Sequence, residues 1–192
     1  MPLPAPVCYS QCMSDSPWSW LGAQADALEG MGPEAAAEVF NTELRKLDPR
    51  LEVEVADAEG RRHVVISANG TAELFATVDG LVESAPRMPA WKFIALRPGR
   101  GFEFQFEAGG RIDARALSFD ARKTDAGIAL RLLVPNPEFE GWADIAPQII
   151  EAGIGERATA TLASIEVSKR EPEDHARALE TLEGYLQRNA GR

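Results

Sequence analysis

Arg97 and Arg100 flank Pro98-Gly99, a dipeptide suited to a tight turn. Two guanidinium groups on one short turn have the fork geometry that grips a carboxylate or phosphate. Trp91 lies just upstream and Phe102, Phe104 and Phe106 just downstream. Pairing of 91–97 with 102–107 would place both Arg side chains at the tip of a hairpin, so Arg97, Arg100 and Trp91 are the candidate contacts with an acidic partner or an anion. The plainer alternative makes Trp91 a core residue and lets the Arg side chains neutralise Glu103 or Glu107 across the strands. No catalytic residue is assigned. His63 follows Arg61-Arg62 at a hairpin turn, and His175 has only its sequence neighbour Asp174, which faces elsewhere on a helix. Ser67 and Ser84 lack a G-x-S-x-G elbow. Gly99-Arg100-Gly101 and Gly109-Gly110 lack the Lys-Ser/Thr of a phosphate loop. Glu103 and Glu107 share a strand face about 13 Å apart, too far for a carboxylate pair. Cys8 and Cys12 would need two more ligands from a chain with only His63 and His175, so no metal and no cofactor is expected.

The charge is uneven. Thirty acidic and twenty basic residues give a net −10, which disfavours general nucleic-acid binding. Residues 1–60 hold eleven acids and three bases, whereas 87–123 hold eight bases and four acids. That local cationic surplus suits an anionic ligand or an acidic partner; the plainer and preferred reading is that strand-edge and loop cations keep an exposed sheet soluble and unpaired. Sixteen of the twenty bases are Arg and thirty residues are Ala, a composition of GC-rich bacterial coding. There is no run of eighteen apolar residues and no basic-then-apolar leader, so a cytoplasmic protein with reduced cysteines and no membrane span is expected.

The elements that would carry these residues follow from periodicity. Residues 1–17, rich in Pro and aperiodic, read as a loosely attached tail, and 18–192 as one domain. A short helix over 18–28 precedes a stronger one opened by Pro33 and stopped by Asp48-Pro49. Strands at 51–55 and 63–67 are joined by Glu59-Gly60. Thr71 would cap a helix closed by Ala85-Pro86, and 91–96 is a buried strand. Strands at 102–107, 112–119 and 127–134 follow, with Asp120–Ala126 as a loop. A helix over 139–152 should carry a kink or a broken turn at Pro147. Thr159–Ser168 is a strand, and Pro172 would open the last helix. The class is α+β, with a mostly antiparallel sheet of about six to seven strands and helices packed mainly on one face. A ββαβ order occurs twice, at 51–97 and 112–168, with Val65 matched to Leu132 at an offset of 67 or 68 residues.

The run Ile66-Ser67-Ala68-Asn69-Gly70, the helix end Leu81-Val82-Glu83-Ser84-Ala85-Pro86, and Trp91-Lys92-Phe93-Ile94-Ala95-Leu96-Arg97-Pro98 resemble bacterial proteins of the domain of unknown function 695 family. Ile149–Val167, with Gly155-Glu156 before a strand, is similar to the later part of that pattern. The resemblance spans roughly 40–170 and implies a fold but no activity and no catalytic residue. Members sometimes adjoin a domain resembling the ribonuclease E inhibitor, for which this chain has no room. The expected function is a non-enzymatic protein-binding or regulatory module, of which an immunity protein against a basic toxin is one version. A small anionic-ligand module using the 87–123 cations, or an enzyme with a dispersed site, are the alternatives.

Overall fold

The computed structural model describes residues 16–171 and 175–189. Their order is α1 (Leu21–Gly30), α2 (Pro33–Leu44), β1 (Glu52–Ala58), β2 (Arg61–Ser67), α3 (Phe75–Glu83), β3 (Trp91–Ala95), β4 (Gln105–Glu107) and β5 (Arg111–Asp113). Then follow β6 (Ser118–Thr124), β7 (Gly127–Val134), α4 (Trp142–Ile154), α5 (Glu156–Thr159), β8 (Leu162–Lys169), β9 (Arg177–Ala178) and α6 (Leu182–Asn189). The fold is α+β. The expected single sheet of six to seven strands is instead three sheets, ordered β1-β2-β3, β4-β5 and β8-β7-β6-β9. The 18–192 stretch divides into two compact units, one holding residues up to Ala68 plus Ala76–Ala95, the other Asn69–Phe75 plus Leu96 onward. The expected tail of residues 1–17 falls mostly outside the described residues; Ser16 Oγ accepts from Trp18 N–H, and Pro17 C=O accepts from the Trp20 indole.

In the first unit β1 and β2 form an antiparallel hairpin and β3 joins β2 in parallel. Glu59 and Gly60 adopt φ 54° and 73°, the left-handed pair of a two-residue hairpin turn. Val53, Val64, Ile66 and Trp91 turn one face inward, and Phe40 of α2 packs on it. Trp18, Trp20, Phe40, Trp91 and Phe93 form an aromatic cluster, with the Trp18 and Phe93 centroids 5.1 Å apart. The buried Trp18 indole donates to Leu81 C=O at 2.9 Å, which ties the entry of α1 to α3.

The second unit repeats the plan. β6 and β7 are antiparallel, and β8 joins β7 in parallel. Each pair of the first hairpin recurs 66 residues later: Val53↔Ile66 becomes Phe119↔Leu132, and Ala58↔Arg61 becomes Thr124↔Gly127. The Val65–Leu132 match was one residue out. Val64 and Ile66 are fully buried and Val65 is not, and a one-residue slip puts the wrong face inward. Phe119, Leu130 and Leu132 pack against Ile149 and Ile150 of α4 and Leu182 and Leu186 of α6.

Several local expectations change. The Asp120–Ala126 loop is strand up to Thr124, leaving a two-residue turn. Pro147 does not break α4: the helix runs through it, and Pro147 and Ala143, whose carbonyl loses its usual i+4 donor there, are both exposed. The last helix begins at Leu182, because Arg177–Ala178 pair with β6 instead. The hairpin of 91–97 with 102–107 does not form. β3 is paired with β2, only 105–107 is strand, and that strand pairs with β5.

Candidate functional site

The segment after β3 lies against the end of α4. Arg100 N–H donates to Ala152 C=O at 2.9 Å and Gly101 N–H to Gly153 C=O at 3.0 Å, satisfying carbonyls that a helix C-terminus leaves unpaired. Three glycines make the approach feasible. A Cβ on Gly99 would lie 2.6 Å from the Ile154 carbonyl carbon, and one on Gly153 2.1 Å from the Phe102 ring. Gly155, at φ 86°, has Gly99 N 2.7 Å from where a Cβ would be.

Glu156 follows at once and is fully buried. Its N–H donates to Arg97 C=O at 2.9 Å, while its Oε2 accepts from Arg97 N–H at 3.1 Å. Its Oε1 accepts from Gly70 N–H at 2.9 Å. Each donor follows a non-glycine residue held in the left-handed region: Leu96, before Arg97, has φ 63°, and Asn69, before Gly70, has φ 50°. A left-handed leucine costs about 1–2 kcal/mol, so the carboxylate stabilises turns that would otherwise relax. Asn69-Gly70, Arg97-Pro98 and Gly155-Glu156 thus meet at one buried carboxylate. Sequence reasoning missed Glu156; the G-x-G-E pattern after an apolar helix was the available signal.

The candidate contact residues separate. Arg97 turns its guanidinium to Glu151 Oε1 at 3.3 Å and Asn69 Oδ1 at 3.2 Å, so it positions the turn. Arg100 is exposed, with its guanidinium 5.1 Å above the Phe104 ring. It borders a cleft of about 270 Å³ shared with Glu103, Arg115, Glu180 and Glu183. Arg115 is committed to Asp113, with Nη2–Oδ2 at 2.8 Å and Nε–Oδ1 at 3.1 Å; those bonds hold the Asp113 carboxyl below its usual range. Trp91 belongs to the other unit. It is 5% exposed, packs on Phe40, and lies 5.2 Å below the Arg62 guanidinium. With Glu29, Asp57, Glu59, Arg61 and Arg62 it lines a cleft of about 540 Å³. Arg62 was also missed: it donates to Leu28 C=O and Met31 C=O at the end of α1, where a cation complements the helix dipole, and bonds Asp57 at 3.0 Å.

His63 Nε2 lies 4.0 Å from Glu59, and His175 is exposed. Ser67 is fully buried, and Ser84 donates to Gly80 C=O and Leu81 C=O. Among the described residues no group of three or more His, Cys, Asp or Glu could hold a metal ion. Cys8 and Cys12 lie outside the described residues. No described helix is long and apolar enough to cross a membrane. No family model, curated protein or solved structure matches the chain.

Proposed function

We propose that this chain is a non-enzymatic protein-binding module whose contact surface in the second unit centres on Arg100. One observation carries the reading. Arg100 stands exposed on a backbone pinned by two hydrogen bonds to the end of α4 and is stacked on Phe104, so little freedom is left for binding to remove. The anionic-ligand reading is weaker. It needs two adjacent free cations, but Arg97 is bonded to Glu151, Arg115 to Asp113, and three Glu carboxylates share the Arg100 cleft. A small anion meets net negative charge there, whereas a protein partner can answer both signs. Membership of the domain of unknown function 695 family, a bacterial source and a cytoplasmic location belong to the same proposal, supported by the convergence of the resembling stretches on Glu156 and by composition. The net charge of −10 likewise supports a protein rather than a nucleic acid as partner.

The test is capture from a bacterial lysate followed by binding of the purified pair. A rim charge acts mainly on association rate and salt dependence. Arg100→Ala should leave the fold unchanged and slow association several-fold at low salt. A purified partner whose association is indifferent to Arg100→Ala refutes the Arg100 surface, and turnover of a small substrate by the pure chain refutes the non-enzymatic reading.

A further inference from the structure

The 66-residue repeat allows the outer edges of the two hairpins to be compared position by position. In the second unit the edge of β6 is covered. Leu117 C=O accepts from Leu179 N–H, and Phe119 pairs with Arg177 of β9. Beyond it, Ala121 N–H bonds the Asp120 carboxylate and Ala121 C=O accepts from Tyr185 Oη at 3.4 Å. The corresponding positions of β1 are Leu51, Val53 and Val55. Leu51 C=O accepts from Arg45 Nε at 3.4 Å. Val53 is served by one side chain: its N–H donates to Asn41 Oδ1 at 2.8 Å and its C=O accepts from Asn41 Nδ2 at 2.9 Å. Asn41 therefore stands in for the missing strand at a single residue.

Outward-facing residues alternate along an antiparallel edge, so the N–H and C=O of Val55 and Asp57 point the same way as those of Val53. Among the described residues neither has a counterpart of the Tyr185 or Asp120 bonds. Asp57 and Ala58 also border the cleft of about 540 Å³ walled by Trp91. We infer that the Val55–Asp57 edge of β1 binds an extended, basic polypeptide segment by strand addition.

Charge selects the occupant. Asp57 and Glu59 are 60% and 80% exposed at their side chains and Glu29 borders the same cleft; with Arg61 and Arg62, the latter bonded to Asp57 at 3.0 Å, the lining holds three acids against two bases, a net negative charge. A second copy would bring the same acidic edge, with Glu54, Asp57 and Glu59, up against itself, and like charges gathered across strands are unfavourable. In the second unit the strand that fills the edge carries Arg177, whose guanidinium is 4.0 Å from Asp120, the counterpart of Glu54. Main-chain bonds would supply affinity and the acids would select Lys or Arg at alternate positions.

This surface lies in the first unit and does not depend on the Arg100 reading. The probe is a capped peptide of about eight residues alternating Val and Lys, roughly one strand in length. Titrated into the full chain, it should shift the amide resonances of Val55–Asp57 and slow exchange of the Val55 and Asp57 amides about tenfold, as new backbone hydrogen bonds require. N-methylating the peptide backbone should weaken binding about tenfold or more by removing its donors. Val55→Pro removes an outward N–H without touching a bond to β2, and should have the same effect. If that variant misfolds, the exchange measurement on the parent chain decides. Arg100→Ala should leave peptide binding unchanged, so the two proposals fail separately. Equal binding of a Val-Glu peptide, indifference to N-methylation, shifts confined to residues away from Val55–Asp57, or no binding at about 1 mM would each overturn the inference. A concentration-dependent dimer abolished by Val55→Pro would assign the edge to a second copy and overturn the basic segment.

Discussion

Replacing Glu156 by Ala removes two carboxylate-to-backbone hydrogen bonds, to Gly70 N–H at 2.9 Å and Arg97 N–H at 3.1 Å, from a side chain with no solvent exposure. Hydrogen bonds to a charged group contribute about 1.5–3 kcal/mol each, so the pair amounts to roughly 3–6 kcal/mol. Both donors would be left without their acceptor beside turns that are already strained at Leu96 and Asn69. Against a total stability of about 5–15 kcal/mol, that is a large fraction. For a chain of this size it lowers the melting temperature by roughly 6–24 °C. Glu156→Gln keeps the volume and one carbonyl oxygen, but turns an NH₂ toward the other donor, so it should lose about half as much. Denaturant unfolding measures the loss, and amide exchange locates it: Gly70 and Arg97 should be protected in the parent and exchange freely in Glu156→Ala. A Glu156→Ala protein within about 1 kcal/mol of the parent, with both amides still protected, would refute the argument that this carboxylate holds the turns.

Two further outcomes follow from local geometry. Gly153→Ala should destabilise by about 1–3 kcal/mol despite alanine's better helix propensity, because its Cβ would meet the Phe102 ring at 2.1 Å; Gly22→Ala, with open space around it in α1, should instead stabilise by about 0.5–1 kcal/mol, both read by denaturant titration. The Asp48 carboxyl, held by hydrogen bonds from the Arg50 side chain and backbone, should titrate at about 2 by carboxyl NMR, and Arg50→Ala should return it toward the ordinary carboxylate range. Its pKa lies below the unfolded value, so the stabilisation is present above the ordinary carboxylate range and disappears as pH falls toward about 2.

Local pattern alone determined much of the secondary structure. The alternation of Leu51, Val53 and Val55, the Glu59-Gly60 turn and the apolar run after it specify a hairpin with one inward face, because period-two burial and left-handed turn residues act over a few positions. The stripe Ala36, Phe40 and Leu44 specified α2 for the same reason. The ββαβ repeat was legible as element order, but its offset was not, since Val64, Val65 and Ile66 are all apolar and only burial tells which of them face inward. Tertiary structure decided the rest. The Pro98-Gly99 turn suits a hairpin, yet the carbonyls at the end of α4, some fifty residues away in sequence, take the N–H groups of Arg100 and Gly101 just after it, and no local signal reports a partner that distant. Arg97 and Arg100 look alike as neighbours of that turn; only the placement of Glu151 and Phe104 makes one a strut and the other a surface cation. Asn41 and Glu156 are polar residues whose purpose lies in backbone groups that folding alone brings to them. Hydrophobic periodicity selects which side chains go inside, and it carries no information about which unpaired N–H or C=O a buried polar atom will meet.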